Sequence, residues 1–564
     1  MARTHDVIVV GGGPAGSTAA SYMAQHGYDV LLLEKEVFPR YRLGESLLPS
    51  TNAVLADLGL LDKMEEIGFP HKTGGSFSWG RDDTPWSVIF AENPFLPSTY
   101  GFHVDRSRFD AMLLDRSKEL GVTVLQPCAA RDVLVEDGRV VGVTYRDPET
   151  KETVEARARF VIDASGPASI VGRKLTTRTY DDRMRQTSVF TYYRDVAGEP
   201  EGQEGHVVVT ACPKGWFWYI PMASPELGEA SVGLVTGQEF RAELKELGAL
   251  AFFDAALAEA PRVQAMLGPD ARQIGKMRGI KDWAFACSQM AGPGFFLCGD
   301  SAAFIDPLLS TGVTLAMLAG YTASVCMHTV LQDASMEQAA IDFYDGNYKR
   351  MYAVTRDCLL YFYSNQDANA DGVFWTARKL MQFGDNAGAK QSFSFLVNTV
   401  AGNPHPAARR QIHMFQQFMA NLEHPLEQMA AEPAFQQLMS ERSAEEIAFD
   451  AITDDTVLSV NGTLDDGCVI DDERHALRRV RGIAYDEDRP VFSSTASWLL
   501  GRNFAELAPE QVTLLDLTGG KARWGDVLGH WAQATGCSHE EARDALAPTL
   551  EALCAEKFVL LHAP

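Results

Sequence analysis

The sequence predicts an α/β (α+β) fold: a doubly wound domain with a parallel sheet, a β-sheet substrate domain interleaved with it, and a helical C-terminal region ending in a winged-helix-like module. Three observations carry this. A strand–glycine turn–helix–strand unit fills residues 6–34. Short apolar strands with antiparallel spacing recur over residues 207–235. From about Met336 the composition turns to Ala, Gln, Met and Phe, as helices prefer.

The chain has 564 residues, room for roughly three or four domains of ~150 residues. The expected boundaries are 1–335, 336–490 and 491–564. A hydrophobic fraction of 46% with 22% charged residues describes globular material that can bury a core. Fifty Lys and Arg against 75 Asp and Glu give a net charge of −25, which argues against nucleic acid and against an anionic membrane as partners. Nine cysteines, odd in number and without a CxxC pair, predict neither a disulfide framework nor a metal site. They suit a reducing, cytoplasmic location. The apolar run Val7–Val10 is broken at once by glycines, so it does not read as a signal peptide. Gly312–Leu331 is free of formal charge but only modestly hydrophobic, which predicts a buried helix rather than a membrane span.

Asp6–Val10 reads as a buried parallel strand. Gly11-Gly12-Gly13-Pro14-Ala15-Gly16 follows, then a helix over Ser17–His26 with Gly27 as its stop. Val30–Leu33 is the second strand and ends in Glu34 and Lys35. Gly11 allows the tight turn, Gly13 lets the backbone approach a pyrophosphate, and Gly16 lets helix and strand pack closely. The helix N-terminus beyond Pro14 and Ala15 offers N–H groups to phosphates. Glu34, eighteen residues after Gly16, is placed to accept from ribose hydroxyls. The set predicts a Rossmann-like site for a dinucleotide.

Further motifs narrow the ligand. Phe296–Asp300 is an apolar strand ending in Gly299-Asp300, a carboxylate suited to ribityl hydroxyls. Ser301–Val313 carries Asp306-Pro307 and Ser310-Thr311-Gly312 at the start of the next helix, whose amides can face a flavin pyrimidine edge. Val161–Gly166 is another strand-to-turn element. Val104–Asp110 is expected to precede a helix and offers Arg106. Phe38–Ser46 is a charged strap with Arg40, Arg42 and Ser46. Val207–Thr210, Gly215–Pro221 and Ala230–Val235 read as antiparallel strands of the second domain. Asp454–Arg489, rich in Asp, Arg and Gly, reads as a linker or irregular segment. The tail runs Leu514–Leu517, Gly519-Gly520, two helical patterns (Trp524–Thr535 and His539–Glu556) and the apolar Phe558–Leu561. That order resembles a winged-helix module, here without basic character.

Over residues 5–330 these motifs resemble the flavoprotein monooxygenases of the hydroxybenzoate-hydroxylase fold. Within that superfamily, Trp216-Phe217-Trp218-Tyr219-Ile220-Pro221 is the W-x-W-x-I-P signature of flavin-dependent halogenases. On a strand, Trp216 and Trp218 share a face and would wall a cavity against water. The resemblance implies FAD, used as FADH2 from a separate flavin reductase, together with O2 and chloride. It implies that hypochlorous acid is held, polarised or captured as a chloramine by Lys72, in His71-Lys72-Thr73-Gly74-Gly75, and that amides at Thr311 and Gly312 lie at the chloride. Tryptophan-specific members carry Glu just before Ser-Thr-Gly; here the residue is Leu309. The chain therefore resembles the branch that acts on phenols or pyrroles, often tethered to a carrier protein. Asp282, in Lys281-Asp282-Trp283, is a candidate for an ester link to the flavin. Arg409-Arg410 and Arg478-Arg479-Val480-Arg481 are basic clusters that an acidic carrier could meet. An aromatic hydroxylase of the same fold is the alternative reading, and a catalytically dead flavoprotein scaffold is a third.

Overall fold

The computed structural model describes residues 4–79, 84–92, 96, 98–364, 373–376, 449–460, 462–471, 474–484, 504–555 and 558–562. The chain divides into two compact units, Met1–Arg409 and Arg410–Pro564.

The first unit holds two eight-stranded sheets. In one, Thr4–Val10 lies between Thr153–Asp163 and Val30–Leu33, all parallel, with Val7 opposite both Phe160 and Val30. Phe295–Leu297 and Thr123–Leu125 extend it in parallel on either side. Strands covered on both faces need continuous apolar runs, and Val7–Val10 and Val30–Leu33 are 3% exposed or less. Helix Pro14–Gln25 starts at the proline, three residues earlier than expected, because a proline lacks the N–H that a first-turn residue leaves unused anyway. Gly16 packs on Gly11, where an added Cβ would meet the Gly11 carbonyl at 1.9 Å.

The second sheet runs Ala303–Phe304, Arg272–Cys287, Arg178–Arg194, Gly228–Gly237, Gly215–Ser224, His206–Cys212, Gly74–Ser78, Trp86–Ile89. Its pairs are antiparallel except His206–Cys212 with Gly74–Ser78. The chain thus leaves the parallel sheet after residue 33, visits the second sheet, returns for residues 123–163, and leaves again for 178–287. The two domains are interleaved, as expected. Helix Gly312–Gln332 is apolar and long enough to cross a membrane, but 89% of its most apolar window is buried in the protein, as in a core helix. Helix Glu337–Ser364 follows it.

Two expectations need correction. Val104–Asp110 does not precede a helix; helix Arg106–Glu119 begins inside it, because the Asp105 carboxylate accepts from Ser107 N–H and caps the first turn. Asp454–Arg489 is not irregular where it is described. Val457–Val460 pairs with Lys521–Arg523 and Val559–His562, and Thr463–Asp471 pairs with Ala476–Ala484 along its whole length. The charges face solvent while Leu458 and Ile483, fully buried, point into the core of this unit. Helices Pro509–Thr518, Trp524–Thr535 and His539–Ala555 complete that core around Trp524, Leu528 and Leu550.

Candidate active site

A cavity of about 730 Å³ lies where the two sheets of the first unit meet. Its phosphate end is built by Gly11, Gly13, Pro14 and Ala15, with Glu34 and Lys35 beside them. Helix Pro14–Gln25 has no side-chain cap, so its first N–H groups remain available to an anion. Glu34 Oε2 accepts from Gly12 N–H at 2.7 Å and Oε1 from Glu36 N–H at 2.8 Å, which fixes the carboxylate. Gly16 is not on the wall; it serves the packing described above.

The strap supplies Arg40, Arg42, Glu45 and Ser46. Arg106 holds it. Its guanidinium donates to both oxygens of Asp110 (2.7 and 2.9 Å) and to the Leu43 carbonyl (2.7 Å), and Arg40 donates to the same Asp110. Gly44 sits at φ +107°, and a Cβ there would come within 2.9 Å of Arg106 Nη1. Gly299 and Asp300 line the same cavity, together with Pro307, Thr311 and Gly312. Burial pushes the Asp300 carboxyl up to about 6, against the pull of Arg106 and Arg178. Thr311 and Gly312 stand at the N-terminus of the 21-residue helix, again without a side-chain cap, so its positive end faces the cavity.

Trp216 and Trp218 share one face of Gly215–Ser224 and both line the cavity, their ring centroids 6.2 Å apart. Trp218 lies against Gly233, where a Cβ would meet the indole at 2.2 Å. The Trp216 indole N–H donates to the Tyr363 hydroxyl (2.8 Å), which donates to Asp306 Oδ2 (3.1 Å). The Trp218 N–H donates to Ser231 Oγ at 3.2 Å.

Lys72 is not on this wall. It lies on the short strand His71–Lys72, which pairs with Gly101–Phe102. That strand in turn contacts the strap, through Leu47 N–H to the Phe102 carbonyl and the Ser46–His103 bridge. Lys72 is fully buried, and its Nζ has no hydrogen-bond partner among the described residues. Burial lowers it from 10.5 to about 7. Phe90 faces it at 5.7 Å, and His103, held neutral by burial and by Lys72, lies nearby.

Of the remaining expectations, Asp282 is on strand Arg272–Cys287 opposite Gln186, and its side chain lies outside those described. Arg409 and Arg410 lie outside the described residues. Arg478, Arg479 and Arg481 are exposed on Ala476–Ala484, with Arg481 paired to Asp466 at 3.2 Å. Sequence reasoning missed Glu45, Tyr192 and Tyr363, whose partners come from distant segments. Among the described residues no cluster of His, Cys, Asp or Glu could hold a metal ion.

The tryptophan halogenase family matches residues 6–96 and 92–394. The chain belongs to this family. A tryptophan 2-halogenase of Chondromyces crocatus is 33% identical over 66% of the chain and 70% of its own length. A 1H-pyrrole-2-carbonyl peptidyl-carrier-protein chlorinase of Pseudomonas fluorescens is 29% identical over 61% of the chain and 80% of its own length. Among solved structures, the myxobacterial chondrochloren halogenase CndH aligns with a TM-score of 0.64 at 36% identity, covering 70% of this chain and 90% of that one. The flavin-dependent halogenase CmlS aligns with a TM-score of 0.70 at 26% identity, covering 99% and 96%. The protein is thus a flavin-dependent halogenase that uses FADH2, O2 and halide. The cavity suits FAD: it offers two uncapped helix N-termini, a fixed carboxylate at the end of the second strand, and a buried Ser46 hydroxyl without a partner among the described residues.

Proposed function

We propose that this halogenase chlorinates an electron-rich aromatic ring, phenolic or pyrrolic and carried on a carrier protein, through the side chain of Lys72. Bound FAD, supplied reduced by a flavin reductase, provides with O2 the oxidising power that turns chloride into hypochlorous acid. The chain's own residues do the rest. The amides at Thr311 and Gly312 hold chloride at a positive, non-oxidisable helix end. Trp216 and Trp218 keep water from the cavity.

The observation that carries the reading is the Lys72 amine: wholly buried, without a hydrogen-bond partner among the described residues, and lowered to about 7. Near neutral pH it is populated both as ammonium and as free amine. The free amine attacks the chlorine of hypochlorous acid; the N–Cl bond forms, the O–Cl bond breaks, and the released hydroxide takes the amine proton to leave as water. The ring then takes the chlorine and loses a proton, and the amine is restored. The ammonium form would instead polarise hypochlorous acid by a hydrogen bond.

Leu309, apolar and buried, favours a phenol or pyrrole. Such rings supply their own electron density, a phenol once it loses its proton, so a carboxylate at that position is not needed. The relative that acts on a carrier-bound pyrrole supports tethered delivery. The test is a substrate comparison with product masses. Phenol and pyrrole acyl groups would be offered as phosphopantetheinyl thioesters on a carrier protein, as the free acids, and beside free tryptophan. Chlorine on the tethered rings is expected; chlorine on free tryptophan alone would overturn the substrate reading.

A further inference from the structure

Glu45 has no part in the chemistry above, yet it is one of the residues that line the cavity, and its side chain is buried there. Its Oε1 accepts from the Tyr192 hydroxyl at 2.5 Å, and its buried Oε2 has no hydrogen-bond partner among the described residues. The Tyr192 hydroxyl is 2.8 Å from that of Tyr41. Tyr41 is half-buried, and the exposed guanidinium of Arg278 lies 3.7 Å from its ring centroid. Three O–H groups therefore run in hydrogen-bond contact from the cavity to the exposed edge of the strap, and they come from two elements 147 residues apart.

The reaction needs such a path. One FADH2, one O2, one chloride, one Ar–H and one proton give FAD, Ar–Cl and two waters. The balance consumes a proton from solvent, in a cavity whose wall includes the strap.

We propose that Tyr41, Tyr192 and Glu45 form a proton relay that carries protons from solvent into the flavin cavity. The inference rests on the reading of this chain as an enzyme of reduced FAD. Glu45 releases the proton on Oε2 into the cavity. Tyr192 passes its hydroxyl proton to Oε1, Tyr41 passes its own to Tyr192, and water reprotonates Tyr41. Each O–H bond broken is matched by one formed, and nothing is oxidised or reduced in the relay itself.

The surroundings of Glu45 suit a group that must hold and lose a proton near neutrality. Burial, the largest influence, pushes its carboxyl up to about 7. Tyr192, on Arg178–Arg194, and Ser231, on Gly228–Gly237, favour the ionised form by hydrogen bonds. From the start of helix Arg106–Glu119, Asp105 disfavours it and Arg106 favours it. A donor poised near the working pH moves protons best.

Two measurements test the relay. The first is an infrared titration of the cofactor-free protein. Two protonated-carboxyl components are expected in the wild type, one near pH 7 from Glu45 and one near 6 from Asp300, and Glu45→Gln should lose the first and keep the second. A wild type and a Glu45→Gln variant with the same carboxyl titration would overturn the proposal. The second follows proton uptake with a pH indicator as the reduced, FAD-loaded enzyme meets O2 with halide and substrate omitted. There the reduced anion, O2 and one proton give FAD and hydrogen peroxide. Tyr192→Phe and Tyr41→Phe keep their rings and are expected to slow uptake about tenfold or more, with FAD affinity retained and the rate restored by small buffer acids. Uptake as fast in both variants as in the wild type would sink the relay. Because no halide is present, a failed relay shows here, whereas a failed halogenation reading shows only as missing chlorinated product.

Discussion

Replacing Lys72 with methionine should stabilise the protein while abolishing halogenation. The side chain is fully buried, its Nζ has no partner among the described residues, and burial lowers it from 10.5 to about 7. At ~1.4 kcal/mol per pH unit, that difference corresponds to a cost of roughly 5 kcal/mol for carrying the charge in the folded state. Between pH 7 and 10.5 the unfolded chain binds the proton more readily than the folded one, so wild-type stability rises with pH across that window. The penalty is fully present below about pH 7 and gone above about 10.5. Methionine matches the length of the lysine stem and carries no charge, so it should fill the site without the penalty. Urea unfolding of the cofactor-free protein at pH 6, 8 and 10, followed by tryptophan fluorescence, reads this out. The variant is expected to exceed the wild type by several kcal/mol at pH 6, with the advantage shrinking steadily by pH 10. Chlorination measured on the same preparations is expected to fall about a hundredfold or more. A methionine variant less stable than the wild type at pH 6, or a difference that ignores pH, would refute the picture of an unpartnered buried amine.

The other perturbations act through the strap, the tryptophan wall and the halide end. Gly44→Ala forces a Cβ to 2.9 Å from Arg106 Nη1 at a φ of +107°; it should cost about 1–3 kcal/mol of stability and weaken FAD binding in a fluorescence titration. Gly233→Ala sets a methyl 2.2 Å from the Trp218 indole, so Trp218 must move; a stability loss of about 1–3 kcal/mol is expected, with more hydrogen peroxide released per product formed. Gly312→Ala meets nothing within 4 Å, so thermal stability should hold. The methyl intrudes on the helix end, however, and the chloride concentration for half-maximal rate should rise.

Residues whose roles are set within a few positions of themselves were legible in the sequence. Gly11, Gly13 and Glu34 belong to one local strand–helix–strand unit, and the period of a strand alone puts Trp216 and Trp218 on one face. Helix Gly312–Gln332 was legible for the same reason. What depends on distant partners was not. The segment around Lys72 is closed off by residues 204–205, which accept from the Thr73 hydroxyl and the Thr73 N–H. The Glu45–Tyr192 contact spans 147 residues. The strand pair Thr463–Asp471 and Ala476–Ala484 was hidden by its composition: its charges point to solvent, and only a few apolar side chains, Ile483 among them, mark the buried face. The cap at Asp105 illustrates the opposite error, in which a local signal, an Asp two residues before a free N–H, was present and was placed outside the helix it starts.

The central claim is that reduced FAD in this chain chlorinates an aromatic ring through Lys72. The most direct test is a single-turnover reaction. The FAD-loaded protein is reduced chemically and mixed with O2, chloride and a simple phenol, wild type beside Lys72→Ala, with products read by mass spectrometry. The account predicts chlorinated phenol from the wild type and none from Lys72→Ala, with flavin reoxidation intact in both. Equal chlorination by both proteins would contradict the role of Lys72, and a hydroxylated product without chlorine would contradict the halogenation itself.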